Sequence, residues 1–491
     1  MADKKSIVVS APGKVLLTGA YLILERPNPG LVLSTSARFY ATVAPLLNDS
    51  PTVDPASRPI LIRSPQLDRA DIFTLDLGSL DVAPSNGRGN PFMEAAIQYT
   101  VAAAKLLDVS VGDVLKPGLE VTILGDNDFY SHRRQIADSG LPLCSSTLSG
   151  LPPFSPATMN TPPETPANSA IPEIAKTGLG SSAAMVTAVV AGLLQHLGMV
   201  SLPRPGEGRE SHSRDLDTVH RLAQAAHCAA QGKVGSGFDV SAAVFGSQRY
   251  VRFSPSVLQQ SGESEPVLES VRRLLASAWD EERRGFVLPP GLVLVIGEPG
   301  AGGSSTPSMV GAVQRWRREK AAAAQPVWEA LAEANSQVEQ GLCQLAECAV
   351  SDREAYERTL EECIGRPSHE WEETAWAGPP SQGSPLAALL ATRAAFRSVR
   401  ELLRRIGEEA NVPIEPPSQT ALLDATEGLP GVLFAGVPGA GGFDAVFAVV
   451  LGQGARNVVD AEWSKRGTLP LCATEDSCGV VLEESDPRGR A

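Results

Sequence analysis

The sequence predicts an α+β fold, and three observations predict it. Helix-like and strand-like stretches alternate irregularly, with strand runs adjoining one another, unlike the regular βαβα order of a doubly wound parallel sheet. One helical stretch, residues 182–197, has almost no polar face and must be buried on all sides. Hydrophobic residues make up 43% of the chain and charged ones 20%, enough apolar material for a sizeable core and too little charge for a disordered chain.

In chain order, residues 7–9 and 15–17 read as two short β-runs around a Gly13-Lys14 turn, and 31–43 as a longer strand pattern. Asn90-Pro91 is an N-cap and first-turn pair, followed by Phe92, Ala96, Ile97, Thr100, Val101 and Ala104 on one helical stripe. Residues 119–124 form a strand. Residues 218–230 form a helix ending in a glycine-bearing turn, and 240–245 a short helix with Asp239 at its N-cap. Residues 292–296 are a buried strand, and a helix opens near Ser308. Ser384-Pro385 start a long amphipathic helix whose stripe includes Leu389, Val399, Leu403 and Ile406; it ends near Asn411, ahead of Pro413. Residues 432–435 and 445–451 close the series as strands. The charged runs 315–320 and 400–405 read as solvated helix faces, and the Pro/Ser/Thr-rich stretch 139–172 as a surface loop.

Composition excludes several functions. At roughly 150 residues per domain, 491 residues allow about three domains. A net charge of −14 with no long Lys/Arg run does not suit a nucleic-acid partner. The longest nearly apolar stretch, 183–194, is shorter than the ~20 residues of a bilayer span, so no membrane insertion is expected. The first residues, MADKKSIVVSAPGK, hold no continuous apolar run, so no secretory leader is expected. The seven cysteines never occur as C-x-x-C, which fits reduced thiols in the cytoplasm; the last residues, Arg488-Gly489-Arg490-Ala491, are not a peroxisomal S-K-L signal. The six histidines form no H-x-x-x-H pair, so a zinc site has no support.

The most informative segment is KTGLGSSAAMVTAVVAGLL, residues 176–194. Gly178 and Gly180 can adopt backbone angles closed to other residues. The free amides of the following helix, at the positive end of its dipole, suit a polyphosphate. The hydroxyls of Ser181 and Ser182 add hydrogen bonds or one oxygen ligand for Mg²⁺. A Rossmann fingerprint fails here, because no strand leads into it and 183–206 contain no Asp or Glu. A Walker A loop fails as well, since no G-x-x-x-x-G-K-[ST] occurs. A helix start built of small residues for tight packing stays open as the bland alternative.

Pro12-Gly13-Lys14, GLGSSAA at 178–184 and the glycine-rich turn at 436–442, in this order, resemble the three motifs of the GHMP small-molecule kinases. Longer strings are similar to those of the phosphomevalonate kinases of fungi and plants: SAPGKVLLTGAYLIL, ILGDNDFYS, KTGLGSSAA, GKVGSGFDVSAAVFGSQRYVRFSP and GVPGAGGFDA. They spread from Ser10 to Ala445, so the resemblance covers nearly the whole chain.

This resemblance implies two domains: one like ribosomal protein S5 domain 2, expected over 1–265, and a ferredoxin-like one over 285–491, with the site between them. It implies ATP and Mg²⁺ as cofactors and (R)-5-phosphomevalonate as acceptor, giving the diphosphate in the mevalonate route to isoprenoids and sterols. Another GHMP kinase, such as a mevalonate kinase, or a catalytically silent GHMP-fold sensor is the alternative. Retention of Lys14, Ser182 and Asp239 together argues against the sensor.

By residue-level correspondence, Lys14 lies at the transferred phosphate and Asp239 is the catalytic carboxylate. Lys176, Thr177, Gly178, Leu179, Gly180, Ser181, Ser182 and Ala183 hold the nucleotide, Ser182 also contacting Mg²⁺. Gly439, Ala440, Gly441 and Gly442 brace that loop. For the acceptor, Ser304, Ser305 and Thr306 form a run of hydroxyls at a helix start. Arg249, between Gln248 and Tyr250, can pair a phosphate or carboxylate bidentately.

Overall fold

The computed structural model describes residues 6–46, 57–85, 89–107, 109–157, 159–160, 173–259, 265–300, 306–374 and 383–490. The first half contains strands β1 (Ile7–Thr18), β2 (Pro29–Pro45), β3 (Ser57–Ser64), β4 (Arg69–Asp76), β5 (Val82–Pro84) and β6 (Leu119–Gly125), then a small ladder of β7 (Met159–Asn160) and β8 (Glu173–Ile174). Its helices are α1 (Pro91–Leu106), α2 (Val111–Val114), α3 (Arg133–Asp138), α4 (Ser145–Ser149), α5 (Ser181–His196), α6 (Ser213–Gln231), α7 (Phe238–Phe245) and α8 (Val267–Ala276). The second half adds β9 (Gln248–Val251), β10 (Glu282–Gly285), β11 (Leu292–Glu298), β12 (Val432–Gly436), β13 (Val446–Leu451), β14 (Leu469–Pro470) and β15 (Val481–Leu482). Its helices are α9 (Thr306–Glu319), α10 (Ala321–Ser351), α11 (Arg353–Ile364), α12 (Pro385–Ala410), α13 (Pro417–Glu427) and α14 (Gly452–Lys465).

Two sheets organise these elements. In the first, β2 is the spine: β1 pairs along it, β9 joins its start and β6 its end, all antiparallel. β3 pairs with β6 in parallel, and β4 and β5 extend that edge. Helix α5 lies across β1 and β2, with α1, α6 and α7 around it. The contact is close because a side chain on Gly192 would already meet Val43 at 3.0 Å. A helix walled on every side needs no polar face, which is why residues 183–194 are apolar apart from Thr187.

The second sheet is antiparallel, in the order β12-β13-β11-β14. Its strands alternate with period two. One face of β11 (Val295), β12 (Val432, Ala435) and β13 (Val446, Ala448, Val450) packs against Leu422 and Leu423 of α13 and Val459 and Trp463 of α14. The opposite face presents Phe434 and Phe447 to Phe396 of α12, and α12 in turn packs along α10.

Four sequence expectations change. The Gly13-Lys14 turn is instead the middle of the single strand β1, with a register shift between Pro12 and Lys14. A side chain on Gly13 would meet the Phe129 ring, Thr35 Oγ1 and the Leu179 carbonyl at 2.9–3.1 Å, so this glycine admits a neighbouring loop rather than a chain reversal. Asp239 is not an N-cap: Gly237, with φ +83°, holds that place and Asp239 lies in the first turn. The run 400–405 is not simply a solvated face, because Arg400 is buried and paired with Glu415, Asp424 and Glu427. The stretch 139–172 contains α4 and β7, and its residues 161–172 lie outside the described residues.

The chain also returns to the first sheet at its end. Beyond β14, Ser34 Oγ donates to the Asp476 carbonyl, and β15 pairs with β1. The sheet that carries Lys14 is thus completed by residues from the far end of the sequence.

Candidate active site

Lys14 sits on β1 where the ladder is interrupted. Its backbone amide donates to the carbonyl of Leu179 at 2.9 Å, and its Nζ donates to the carbonyl of Gly178 at 3.1 Å. The ammonium lies 5.5 Å from the centre of the Phe238 ring, within range of a cation–π attraction. Burial pushes the Lys14 pKa down, and the Asp239 carboxylate, acting through space, pulls it back up.

The loop beneath Lys14 is shaped by two left-handed glycines, Gly178 and Gly180, both at φ +77°. Gly180 is the N-cap of α5 and has no side chain with which to cap it. The first-turn amides of Ser181, Ser182 and Ala183 precede the first helical hydrogen bond, that of Ala184 to the Gly180 carbonyl. They stand open beside a lysine, at the positive end of a 16-residue helix dipole. Leu179 is buried, and Lys176 is exposed at the lip of the loop.

Thr177 is buried, and its hydroxyl donates to the Asp128 carbonyl. The Asp128 carboxylate in turn accepts the amides of Cys472 and Ala473, at 2.6 and 3.0 Å. Burial still pushes the Asp128 pKa up against those two bonds. The string ILGDNDFYS therefore brackets the glycine loop to the returning C-terminal segment.

Asp239 is aimed by the loop ahead of α7. Tyr250 Oη donates to the Ser236 carbonyl at 2.9 Å, and Arg252 donates to the carbonyls of Val234 and Gly235 at 3.0 and 2.7 Å. A side chain on Gly237 would meet the Phe253 ring at 2.6 Å and Gln224 Oε1 at 2.8 Å, so that corner requires glycine. Gln248 accepts from Ser241 Oγ and donates to the Gly246 carbonyl, tying β9 to α7.

The third glycine stretch, which follows β12 of the second sheet, meets the second, which lies against β1 of the first. A side chain on Gly178 would lie 3.4 Å from Cβ of Ala445 and 3.7 Å from Cβ of Asp444. Tyr21 Oη donates to the Ala440 carbonyl at 2.7 Å, and the Gly442 amide donates to the Ile414 carbonyl at 2.8 Å. Gly439, Gly441 and Gly442 all have positive φ.

The acceptor candidates fare differently. Arg249 is already engaged through one nitrogen: its Nε donates to Glu339 Oε1 of α10 at 2.8 Å, an ion pair between β9 and α10. Ser304 and Ser305 lie outside the described residues, and Thr306 is the first residue of α9.

His227 escaped the sequence reading. This buried side chain on α6 places Nε2 3.1 Å from Ser182 Oγ and 3.2 Å from Gln231 Nε2, with the Phe92 ring 5.7 Å away, centre to centre. Burial holds its pKa below the usual histidine value. The available signal was the four-residue spacing of His227 and Gln231, which puts both on one face of α6. Among the described residues no group of three or more His, Cys, Asp or Glu side chains is placed to hold a metal ion.

Residues 164–247 match the N-terminal domain of the GHMP kinases, and 387–468 match their C-terminal domain. An Arabidopsis thaliana protein named as a peroxisomal phosphomevalonate kinase is 49% identical over 98% of this chain and 97% of its own. A phosphomevalonate kinase of Aspergillus fumigatus is 34% identical, covering 90% of this chain and 86% of its own. Among solved structures, a Listeria innocua protein has a TM-score of 0.62 at 17% identity, over 98% of this chain and all 100% of that one. Streptococcus pneumoniae phosphomevalonate kinase, solved with phosphomevalonate and AMPPNP, has a TM-score of 0.57 at 16% identity, over 96% of this chain and 100% of its own. The structural likenesses establish the fold, and the sequence identities the lineage: the chain belongs to the phosphomevalonate kinase family of the GHMP kinases.

Proposed function

We propose that this chain transfers the γ-phosphoryl group of ATP to the phosphate of (R)-5-phosphomevalonate, forming (R)-5-diphosphomevalonate and ADP. The observation that carries this is the Lys14 ammonium held against the Gly178 carbonyl beside the open amides of Ser181 to Ala183. Phosphoryl transfer asks a protein for in-line positioning and for positive charge where it spreads over the equatorial oxygens. The α5 amides receive the polyphosphate, and Lys14 meets the group in flight. The loop at 439–442 braces the glycine turn from the other lobe.

The acceptor needs little help in losing a proton. A phosphate monoester has its second pKa near ~6 and is mostly dianionic at neutral pH. Asp239 accordingly acts as an orienting carboxylate that keeps Lys14 charged and aimed.

The donor set suits Mg²⁺. One serine hydroxyl and one carboxylate, Ser182 and Asp239, would supplement the oxygens of nucleotide and water, as this hard cation prefers. When bound, the ion would neutralise charge building between the β- and γ-phosphates.

For the compartment, we infer the cytoplasm from seven free cysteines, which suit a reducing environment. No helix among the described residues is long and apolar enough to cross a membrane. Imaging of the tagged chain against a peroxisomal marker decides between the cytoplasm and the compartment named for the Arabidopsis relative.

Coupled ADP release tests the activity. Turnover with 5-phosphomevalonate and none with mevalonate is expected. Turnover with mevalonate alone would overturn the assignment.

A further inference from the structure

We propose that His227 is a positioning residue that takes the hydroxyl hydrogen of Ser182, leaving the Ser182 oxygen to present only lone pairs toward the cation of the nucleotide complex. This rests on the reading that the helix start at Ser182 receives ATP with its metal. It adds a role for a residue that never touches the reacting atoms.

A glutamine Nε2 can only donate, and that of Gln231 lies 3.2 Å from His227 Nε2. The ring nitrogen facing it must therefore be the bare acceptor of a neutral imidazole, with the hydrogen on Nδ1. Ser182 Oγ lies 3.1 Å from that same bare nitrogen, so its hydroxyl hydrogen and the Gln231 amide share the single Nε2 lone pair in a three-centre contact. In the opposite tautomer an Nε2 hydrogen would face the amide hydrogens of Gln231, and Ser182 would have to accept with a lone pair. Ser182 would then turn an oxygen lone pair into the protein, away from any cation.

The ring is held for this task. His227 is 3% exposed, with Phe92 of α1 packed beside it, so no water shell competes for Nε2. The surroundings are otherwise poor in ligands, since no cluster of three metal-binding side chains occurs among the described residues. A site with so few protein donors depends strongly on how each one is oriented. Partners that orient metal ligands are typically worth about 10–100-fold in metal affinity.

Two measurements on the full chain test this. First, ¹⁵N NMR of histidine-labelled protein at pH 8 reads the tautomer directly. A bare Nε2 on His227, losing its hydrogen-bond shift in Ser182→Ala, is expected; a protonated Nε2 would overturn the proposal. Second, Mn²⁺ binding to the enzyme–ATP complex is followed by electron paramagnetic resonance. His227→Phe, which fills the same slot without an acceptor, should weaken Mn²⁺ about 10–100-fold. His227→Gln, whose amide oxygen accepts, should recover most of it, and His227→Phe should add nothing in a Ser182→Ala background. Equal Mn²⁺ binding by wild type and His227→Phe, or a full further loss in the Ser182→Ala background, would overturn it. If His227→Phe does not fold, the tautomer and the His227→Gln titration decide alone. Neither readout requires turnover, so a wild-type enzyme inactive on phosphomevalonate would sink the functional assignment while leaving this one to be judged on its own results.

Discussion

A methyl group on Gly180 would lie 2.8 Å from Cε of Lys14, so the glycine loop and the lysine are shaped to one another. Gly180→Ala faces two penalties. The left-handed φ of +77° costs an alanine about 1–2 kcal/mol, and the methyl drives the lysine stem aside. Gly178 has the same φ, yet its added methyl would meet only Ala445 and Asp444 at ordinary contact distance. Both variants should therefore lose stability in thermal melts, Gly180→Ala the more of the two. Gly180→Ala should lose roughly 100-fold in kcat, the order seen when one charge-stabilising group is misplaced, and Gly178→Ala much less.

Lys14 sets function against stability. Its pKa is lowered by burial, so the native state binds its proton more weakly than the unfolded chain does. Stability from this group is smallest at neutral and acid pH, and it rises as pH climbs from the depressed native value toward the ordinary 10.5. Lys14→Met should consequently raise the melting temperature at pH 7 while cutting kcat by about 10²–10³. A melting temperature lower than wild type at pH 7 would show that the hydrogen bond to Gly178 outweighs desolvation.

What was legible in the sequence follows from what local pattern can encode. The apolar helix α5, the caps at Asn90 and Ser384, and the αL stop at Asn411 are written within a few residues of where they act, and all appear in the structure. The continuity of β1 through Gly13-Lys14 is not local, because the bond that replaces the interrupted ladder comes from Leu179, more than 160 residues away. His227 meets Ser182 only because α5 and α6 pack side by side. The Arg249–Glu339 pair is likewise not local, because nothing in the segment around Arg249 announces Glu339 on α10.

Arg400 illustrates the same limit and gives a stability test. Its side chain is 4% exposed and that of Glu415 0% exposed, and they pair at 2.7 Å inside the second lobe. Removing one member of a buried pair leaves the other charge uncompensated, at about 3–5 kcal/mol. Arg404 also reaches Glu415, at 2.8 Å, so Arg400→Met should fall toward the lower end of that range. Denaturant unfolding monitored by tryptophan fluorescence measures it. Loss below 1 kcal/mol, an exposed pair's usual worth, would mean the arginine is dispensable.

Asp126 predicts a pH dependence of the opposite sign to the common carboxylate case. Burial, with Asp128 and Glu483 nearby, pushes its pKa up to about 7, although the Arg38 amide bonds it at 2.7 Å. The native state holds this proton more tightly than the unfolded chain, whose value is the ordinary 3.8. The stability it contributes is complete below that ordinary value and is lost as pH rises through about 7. Asp126→Asn should abolish this slope, melting a few degrees higher than wild type at pH 8 and no higher at pH 4. An unchanged slope would place the titration elsewhere.

Asp239 can be separated from a proton-removing base by its pH profile. As an orienting group it helps keep Lys14 protonated, since its carboxylate is what raises the lysine pKa against burial. Asp239→Asn should therefore lower kcat at every pH and shift the alkaline fall in rate to lower pH, because the lysine loses its charge sooner. A base would behave otherwise: its loss would matter least where the acceptor phosphate is fully dianionic, well above its pKa near ~6. Rate profiles of wild type and Asp239→Asn from pH 6 to 10, with saturating Mg²⁺–ATP, distinguish the two. Recovery of Asp239→Asn to the wild-type rate at pH 9 would assign proton removal to Asp239. A deficit that widens with pH assigns it to the control of Lys14.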